Sequence, residues 1–108
     1  MTTAVLSEHA TVIAKTNDTF RQTGFGIHLT IGVQHLENLM GLLQAVRQFN
    51  AFCEDNDPYG EHDFGSIEWN GVTVFWKIDY YNQSMTAGIS PLASSCQRVL
   101  TVMRADEY

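Results

Sequence analysis

The pattern of hydrophobic positions changes its spacing several times along the chain. Over residues 3–23 the side chains of one face recur every three or four residues, and Gly24 then provides a residue typical of a helix end, which predicts a first helix. We place on its buried face Val5, His9, Val12, Ile13, Thr16 and Phe20.

The next segment alternates between hydrophobic and polar positions. Residues 25–33 are bounded by glycines, and the alternation predicts a strand. The residues expected on its one apolar side are Ile27, Leu29, Ile31 and Val33.

Helical spacing returns over residues 36–53 and predicts a second helix. Its buried stripe comprises Leu36, Leu39, Leu43, Val46 and Phe49, widened by Leu42 and Phe52. Gly41 inside this helix costs up to about 1 kcal/mol relative to alanine. We therefore expect close packing against a neighbouring element at that position.

The dipeptide Asn70-Gly71 favours a two-residue turn between strands over residues 64–69 and 72–81. That turn fixes the register. It predicts one face with the pairs Trp69–Val72, Ile67–Val74 and Gly65–Trp76, and another with Glu68–Thr73, Ser66–Phe75 and Phe64–Lys77. One pair further along the ladder, His62 would face Asp79.

The last hydrophobic segment fits a strand or a short helix, and its β-branched content favours a strand over residues 98–103. The element order is then α-β-α-β-β-β. It predicts an α+β fold in which two helices pack on one face of a mostly antiparallel four-stranded sheet. We expect a single domain over residues 1–108.

Composition narrows the classes of function. Apolar residues make up 44% of the chain and the formal net charge is −6, which is typical of a globular protein. The six basic residues are scattered, which argues against direct binding to nucleic acid. We read no signal peptide, membrane span or zinc signature, and expect a cytoplasmic protein in which Cys53 and Cys96 are reduced.

Six of the twelve carboxylates lie in residues 54–68, a segment without lysine or arginine. Such a cluster must stay hydrated, bind a cation or face a basic partner. Asp55, Asp57, Gly60 and Asp63 match part of a calcium loop, but Tyr59 and Ser66 stand where ligands are required. We therefore predict no metal and no cofactor, and favour a hydrated turn capped by its own side chains.

A catalytic alternative uses the same segment. Glu61, His62, Asp63 and Asp79 could form an acid/base site in which Asp79 orients His62. No nucleophile motif, phosphate loop or HExxH string accompanies these residues. The competing interpretation is a structural pair that ties the acidic segment to the hairpin.

Aromatic side chains crowd the same region. Trp69 and Trp76 fall on the hairpin face that we place inside. Tyr59, Phe75 and Tyr81 fall in the loop or on the opposite face, where a ring beside carboxylates makes a good anchor for a protein partner.

Four strings carry a resemblance to a known family: NDTFR at 17–21, NDPYGEHDFG at 56–65, FWKIDYY at 75–81 and RVLTVM at 98–103. They resemble an uncharacterised bacterial family, a domain of unknown function whose members are small, mostly alphaproteobacterial and often carried on plasmids or prophages. The family pattern has an apolar residue where this chain has Arg104. The resemblance implies no activity, but it implies a mobile-element setting, in which small acidic proteins often block host defence complexes.

We therefore expect a non-enzymatic binding protein of the anti-CRISPR or anti-restriction type, a monomer or homodimer that contacts neither nucleic acid nor membrane directly. It would dock on a basic surface of a host protein complex through Asp55, Asp57, Tyr59, Glu61, Asp63, Glu68, Phe75 and Tyr81. The alternatives are a small metal-dependent or acid/base hydrolase centred on Glu61, His62, Asp63 and Asp79, and a self-associating protein that uses the last strand as an open edge. The first hypothesis requires that the clustered carboxylates face outward without internal compensation.

Overall fold

The computed structural model describes the backbone of residues 2–108 and the side chains of residues 8–108. Its elements are helix α1 (Thr2–Thr23), strand β1 (His28–Leu29), helices α2 (Ile31–Gln34) and α3 (Leu39–Arg47), strands β2 (Phe64–Trp69), β3 (Val72–Tyr81) and β4 (Gln97–Arg104), and a 3₁₀ turn (Ala105–Glu107). The strands form a four-stranded sheet in the order β1-β4-β3-β2. Only β1 and β4 run parallel within the described sheet, so the predicted α+β fold is confirmed, as is the last strand.

Helix α1 confirms the first predicted helix, but its buried face is rotated from the predicted one. The buried residues are Ile13, Ala14, Asn17 and Arg21. The predicted core positions that are exposed instead are His9, Val12 and Thr16, while Val5 lies outside the described side chains. The prediction is confirmed for Ile13 and for Phe20, which packs against the core. It missed Asn17 and Arg21, because these polar residues find hydrogen-bond partners inside the protein and a stripe defined by apolar residues alone does not include them.

The predicted strand over residues 25–33 is two residues long. The chain turns at Thr30, whose hydroxyl donates to Glu107 at 2.7 Å, and the same carboxylate accepts the backbone N–H of Gly32 at 3.0 Å. Helix α2 follows, with Ile31 72% exposed and Val33 fully buried. The strand prediction required these two residues to share one face, and it is therefore wrong for this segment.

The second predicted helix is confirmed only over Leu39–Arg47. It begins after Asn38, which has a φ of 54° and accepts a hydrogen bond from the backbone N–H of Gly41. This side chain, and not another element, is the close neighbour of Gly41. The helix ends early because Arg21 donates to the carbonyls of Val46 and Phe49, at 3.0 and 2.8 Å, and so replaces the partners that another helical turn would supply.

The hairpin has the predicted register in all six pairs. Asn70 and Gly71 have φ values of 52° and 82°, as a type I′ turn requires. The indole of Trp76 lies across Gly65, where a Cβ atom would clash with it. At the other end of the hairpin, Trp69 donates from Nε1 to the carbonyl of Glu37 at 3.0 Å.

The core lies between the helices and one face of the sheet. Its fully or almost fully buried members are Val33, Leu42, Val46, Val74, Trp76, Ile78, Leu100 and Val102. Alternate residues of β3 therefore face the helices, and the residues between them form the outer face. There Phe75 packs against Phe64 and Tyr108, with ring centroids 5.1 and 5.8 Å apart. None of the helices described is long and apolar enough to cross a membrane.

Candidate functional site

A polar network joins helix α1 to the acidic loop, which we define as residues 54–63. Asn17 is fully buried. Its Nδ2 donates to the carbonyl of Glu61 at 2.9 Å and to the hydroxyl of Tyr80 at 2.8 Å, while its Oδ1 accepts from Nε of Arg98 at 2.7 Å. One amide side chain thus connects a helix, a loop and two strands.

Arg21 forms the second part of the network. It is 1% exposed, and besides the two carbonyls at the end of α3 it contacts Oδ1 of Asp18 at 3.1 Å. Its guanidinium carbon lies 4.8 Å from the centroid of the Trp76 ring. The charge is therefore compensated by a carboxylate, two carbonyls and an aromatic face, which is what a buried guanidinium needs.

His62 occupies the junction between Asp18 and the acidic loop. Its Nδ1 lies 2.9 and 3.0 Å from the two carboxylate oxygens of Asp18, and its Nε2 lies 3.7 Å from Oδ2 of Asp57. The imidazole stacks on Phe52 with a centroid distance of 3.8 Å and an interplanar angle of 2°. Its φ of 55° is uncommon for a residue other than glycine, and these contacts hold it there.

Asp57 corrects the expectation that the acidic cluster faces outward. It is 9% exposed, and its carboxylate accepts the backbone N–H groups of Glu61 and His62 at 3.1 and 3.2 Å. These bonds close the turn that begins at Asp57, whose carbonyl also accepts the N–H of Gly60 at 3.0 Å. Asp57 therefore shapes the loop and is not available to a partner.

Two neighbouring carboxyls of the loop have raised pKa values. Burial raises the pKa of Glu61, and repulsion by Asp63 and Asp57 raises it further. Burial and Asp57 also raise the pKa of Asp63, although a hydrogen bond from Tyr80 at 3.3 Å works in the opposite direction. Burial likewise raises the pKa of Tyr80, so its phenol remains a donor at neutral pH.

The side chain of Glu61 differs from the others in the loop. Its backbone N–H and carbonyl are both fixed, by Asp57 and Asn17. Its carboxylate, in contrast, has no ion-pair or hydrogen-bond partner among the described residues. It lines a groove of about 320 Å³ between the loop, helix α1 and the segment after β3. We call this the Tyr59 groove; its walls include Ile13, Leu92 and the 80% exposed Tyr59.

The structure divides the predicted partner-binding residues among three places. Asp55, Tyr59 and Glu61 belong to the outward side of the acidic loop, and Glu54 beside them is also exposed. Asp57 and Asp63 are turned into the network. Glu68 lies at the hairpin tip, where it accepts from Thr73 at 2.6 Å, and Phe75 and Tyr81 are half-buried residues of the outer face of the sheet.

The catalytic alternative is not assembled as predicted. His62 does not face Asp79, because the ladder ends where Ile78 donates its N–H to the carbonyl of Asp63 at 2.9 Å. Asp79 instead lies on the outer face and pairs with Lys77 at 2.9 Å, an interaction that raises the pKa of Lys77. Within the described residues, no group of three or more histidine, cysteine or acidic side chains is arranged to hold a metal ion.

Sequence reasoning assigned no role to Asn17, Asp18, Tyr80 or the buried side of Arg21. A signal was present, because Ile13, Asn17 and Arg21 are spaced four residues apart and continue one helical face. Because buried polar groups are almost always hydrogen-bonded, polar residues that continue an apolar stripe can form a buried network.

The fold and the site together define an α+β domain in which a buried polar network locks an acidic loop to a sheet. The chain belongs to the family described as "Protein of unknown function (DUF3768)", whose model matches residues 29–107. No curated protein and no solved structure matches the chain. Helix α1, which supplies Asn17, Asp18 and Arg21, lies before the matched residues.

Proposed function

We propose that this protein is a small non-enzymatic inhibitor that docks its acidic loop on a basic surface of a host nucleic-acid-handling defence complex, of the anti-CRISPR or anti-restriction type. The observation that carries the docking surface is Glu61: its backbone is fixed by two hydrogen bonds, and its carboxylate has no partner among the described residues and shares a groove with an exposed tyrosine. The choice of a defence complex among basic surfaces rests on the mobile-element setting that the family resemblance implies.

The Tyr59 groove is suited to a lysine or arginine side chain from the partner. A cation in the groove would meet the Glu61 carboxylate, relieve its repulsion with Asp57 and Asp63, and lie beside the face of Tyr59. The apolar walls formed by Ile13 and Leu92 would cover its aliphatic stem. Glu54 and Asp55 extend the negative surface and would speed the encounter with a basic partner.

We propose a smaller docking surface than the one that the sequence predicts. Asp57 and Asp63 act from inside, and the outer-face rings of Phe75 and Tyr81 are not part of the loop surface. We do not propose a hydrolase centred on Glu61, His62, Asp63 and Asp79, because Asp79 pairs with Lys77 on the outer face and does not contact His62.

The test begins with capture of the partner from the native host, followed by binding measurements on the purified pair. We expect Glu61→Gln to weaken binding about ten-fold, since it removes a charged contact from a partly desolvated site. We expect Asp55→Asn to lower mainly the association rate and the salt dependence. Binding should also block nucleic-acid binding or cleavage by the captured complex.

Glu37→Gln is the matched control, because it removes the same charge from an exposed site away from the loop. It should leave the affinity within two-fold of the wild type. Equal losses of affinity in Glu61→Gln and Glu37→Gln would show that binding depends on the net charge of the protein and not on the position of Glu61. A captured partner whose nucleic-acid activity is unaffected would refute the inhibitor function while leaving the docking surface in place.

A further inference from the structure

A second groove lies on the other side of Asn17, between helix α1 and the start of β4. Its volume is about 570 Å³, within the range of about 300–1,000 Å³ that is usual for small-molecule sites. Lys15, Thr19 and Phe20 line it from the helix, and Gln97 and Arg98 line it from the strand. We call it the Arg98 groove.

The charge of this groove is opposite to that of the protein as a whole. It contains two of the six basic residues and no acidic residue, in a chain with a net charge of −6. Neither Lys15 nor Arg98 forms an ion pair with any described carboxylate, and residues 1–7 contain no aspartate or glutamate.

Arg98 is held in position by neutral groups. Its Nε donates to Asn17 at 2.7 Å, its Nη2 donates to the carbonyl of Pro91 at 3.0 Å, and its guanidinium carbon lies 5.4 Å from the centroid of the Tyr80 ring. The remaining N–H groups have no partner among the described residues. A half-buried guanidinium fixed in this way is preorganised to bind an anion. A bound anion would compensate its positive charge, which no carboxylate does among the described residues.

The rest of the groove defines the ligand more closely. Phe20 offers an apolar surface that is half-buried, the exposed Lys15 can reach over the groove as a second cation, and the Thr19 hydroxyl is a small polar group that can donate to an oxygen. We propose that the Arg98 groove binds a small organic anion whose carboxylate or phosphate contacts Arg98 and Lys15, and whose apolar part covers Phe20.

This inference is independent of the proposed function, because it uses neither the acidic loop nor a protein partner. Its test is a titration of the full ¹⁵N-labelled chain, followed by amide chemical shifts. The probes are phenylacetate and phenyl phosphate, which distinguish a carboxylate from a phosphate head, and uncharged 2-phenylethanol is the control. We expect saturable shifts at Thr16, Thr19, Gln97 and Arg98 with at least one anion, and none of comparable size with the alcohol.

Variants of Lys15 make the test specific without disturbing the buried network. Lys15→Gln should weaken binding of the anion about three-fold, as expected for a solvent-exposed charge contact, and Lys15→Glu should abolish it. Lys77→Gln is the matched control, because it removes the same charge from the outer face of the sheet, and it should leave the titration unchanged. Equal shifts with 2-phenylethanol, or equal weakening by Lys77→Gln, would overturn the proposal.

Discussion

At the scale of single residues, Glu61 combines a rigid backbone with an unfavourable charge. The peptide groups on both sides of its Cα are hydrogen-bonded, which fixes its backbone, and burial together with the charges of Asp63 and Asp57 raises the pKa of its carboxyl. Such a residue lowers the stability of the folded state unless something cationic is bound. Local strain of this kind is expected at functional sites, where binding and stability make opposite demands.

Glu61→Gln should therefore stabilise the protein while weakening its binding. Because the pKa of Glu61 is raised in the folded state, the folded form holds its proton more tightly than the unfolded chain. The contribution of this residue to the free energy of unfolding consequently falls as the pH rises from 4.5, its ordinary value, through the raised pKa.

The expected gain in Glu61→Gln at pH 7 is about 0.5 kcal/mol, the size of a solvent-screened charge interaction. It should shrink towards zero below pH 4. Urea unfolding at several pH values measures both quantities, with Glu37→Gln as the control of equal charge. A variant that is less stable than the wild type at pH 7 would show that the carboxylate is compensated after all.

At the scale of elements, Arg21 determines where one helix ends and how another is placed. It lies on α1, and its guanidinium donates to the carbonyls of Val46 and Phe49. In the opposite direction, Arg47 of α3 donates to the carbonyls of Arg21 and Gly24 at 2.9 and 3.2 Å. Each arginine thus caps the carboxyl end of the other's helix, which also suits the dipole of each helix.

Arg21→Met should lower the free energy of unfolding by about 3 kcal/mol, because it removes the guanidinium hydrogen bonds from two carbonyls and from the Asp18 carboxylate. Chemical denaturation measures the loss. Lys15→Met makes the same change at an exposed position of the same helix and should alter stability by no more than about 0.5 kcal/mol. A loss below about 1 kcal/mol in Arg21→Met would mean that water replaces the guanidinium without difficulty.

These contacts explain which elements could be predicted from the sequence. The hairpin register followed from Asn70-Gly71 because a turn of that geometry fixes its flanking pairs locally. The end of α3 could not be predicted, because it depends on Arg21, 25 residues before Val46. The predicted pairing of His62 with Asp79 was wrong for the same reason. The actual partner, Asp18, lies 44 residues away in the sequence, whereas the sequence pattern indicated only a partner on the neighbouring strand.

At the scale of the whole molecule, helix α1 fastens the acidic loop to the sheet from outside the family match. Asn17, Asp18 and Arg21 contact the loop, β3, β4 and the end of α3. The matched residues 29–107 contain the loop and all of the sheet except His28, without this helix. The shape of the proposed docking surface therefore depends on a part of the chain that the family model does not include.

Removal of residues 1–24 should release the acidic loop before it disrupts the hairpin. The loop would lose Asn17 and Asp18, whereas the turn at Asn70-Gly71 and the pairs of β2 and β3 depend on neither. Hydrogen exchange should show at least a hundred-fold faster exchange at Glu61 and His62. The control is the double substitution Lys15→Gln and Thr19→Ser in the full chain, which should leave those amides protected. Unchanged protection after the deletion would show that Asp57 alone maintains the loop.

The two indole rings occupy contrasting surroundings. Trp76 is fully buried, and its Nε1 has no hydrogen-bond partner among the described residues, whereas Trp69 is half-buried and donates to Glu37. Their fluorescence should consequently differ in wavelength and in access to a quencher such as acrylamide. The molecule thus contains two natural optical reporters, one for its interior and one for the tip of the hairpin, and replacing either tryptophan with phenylalanine would let each be followed separately.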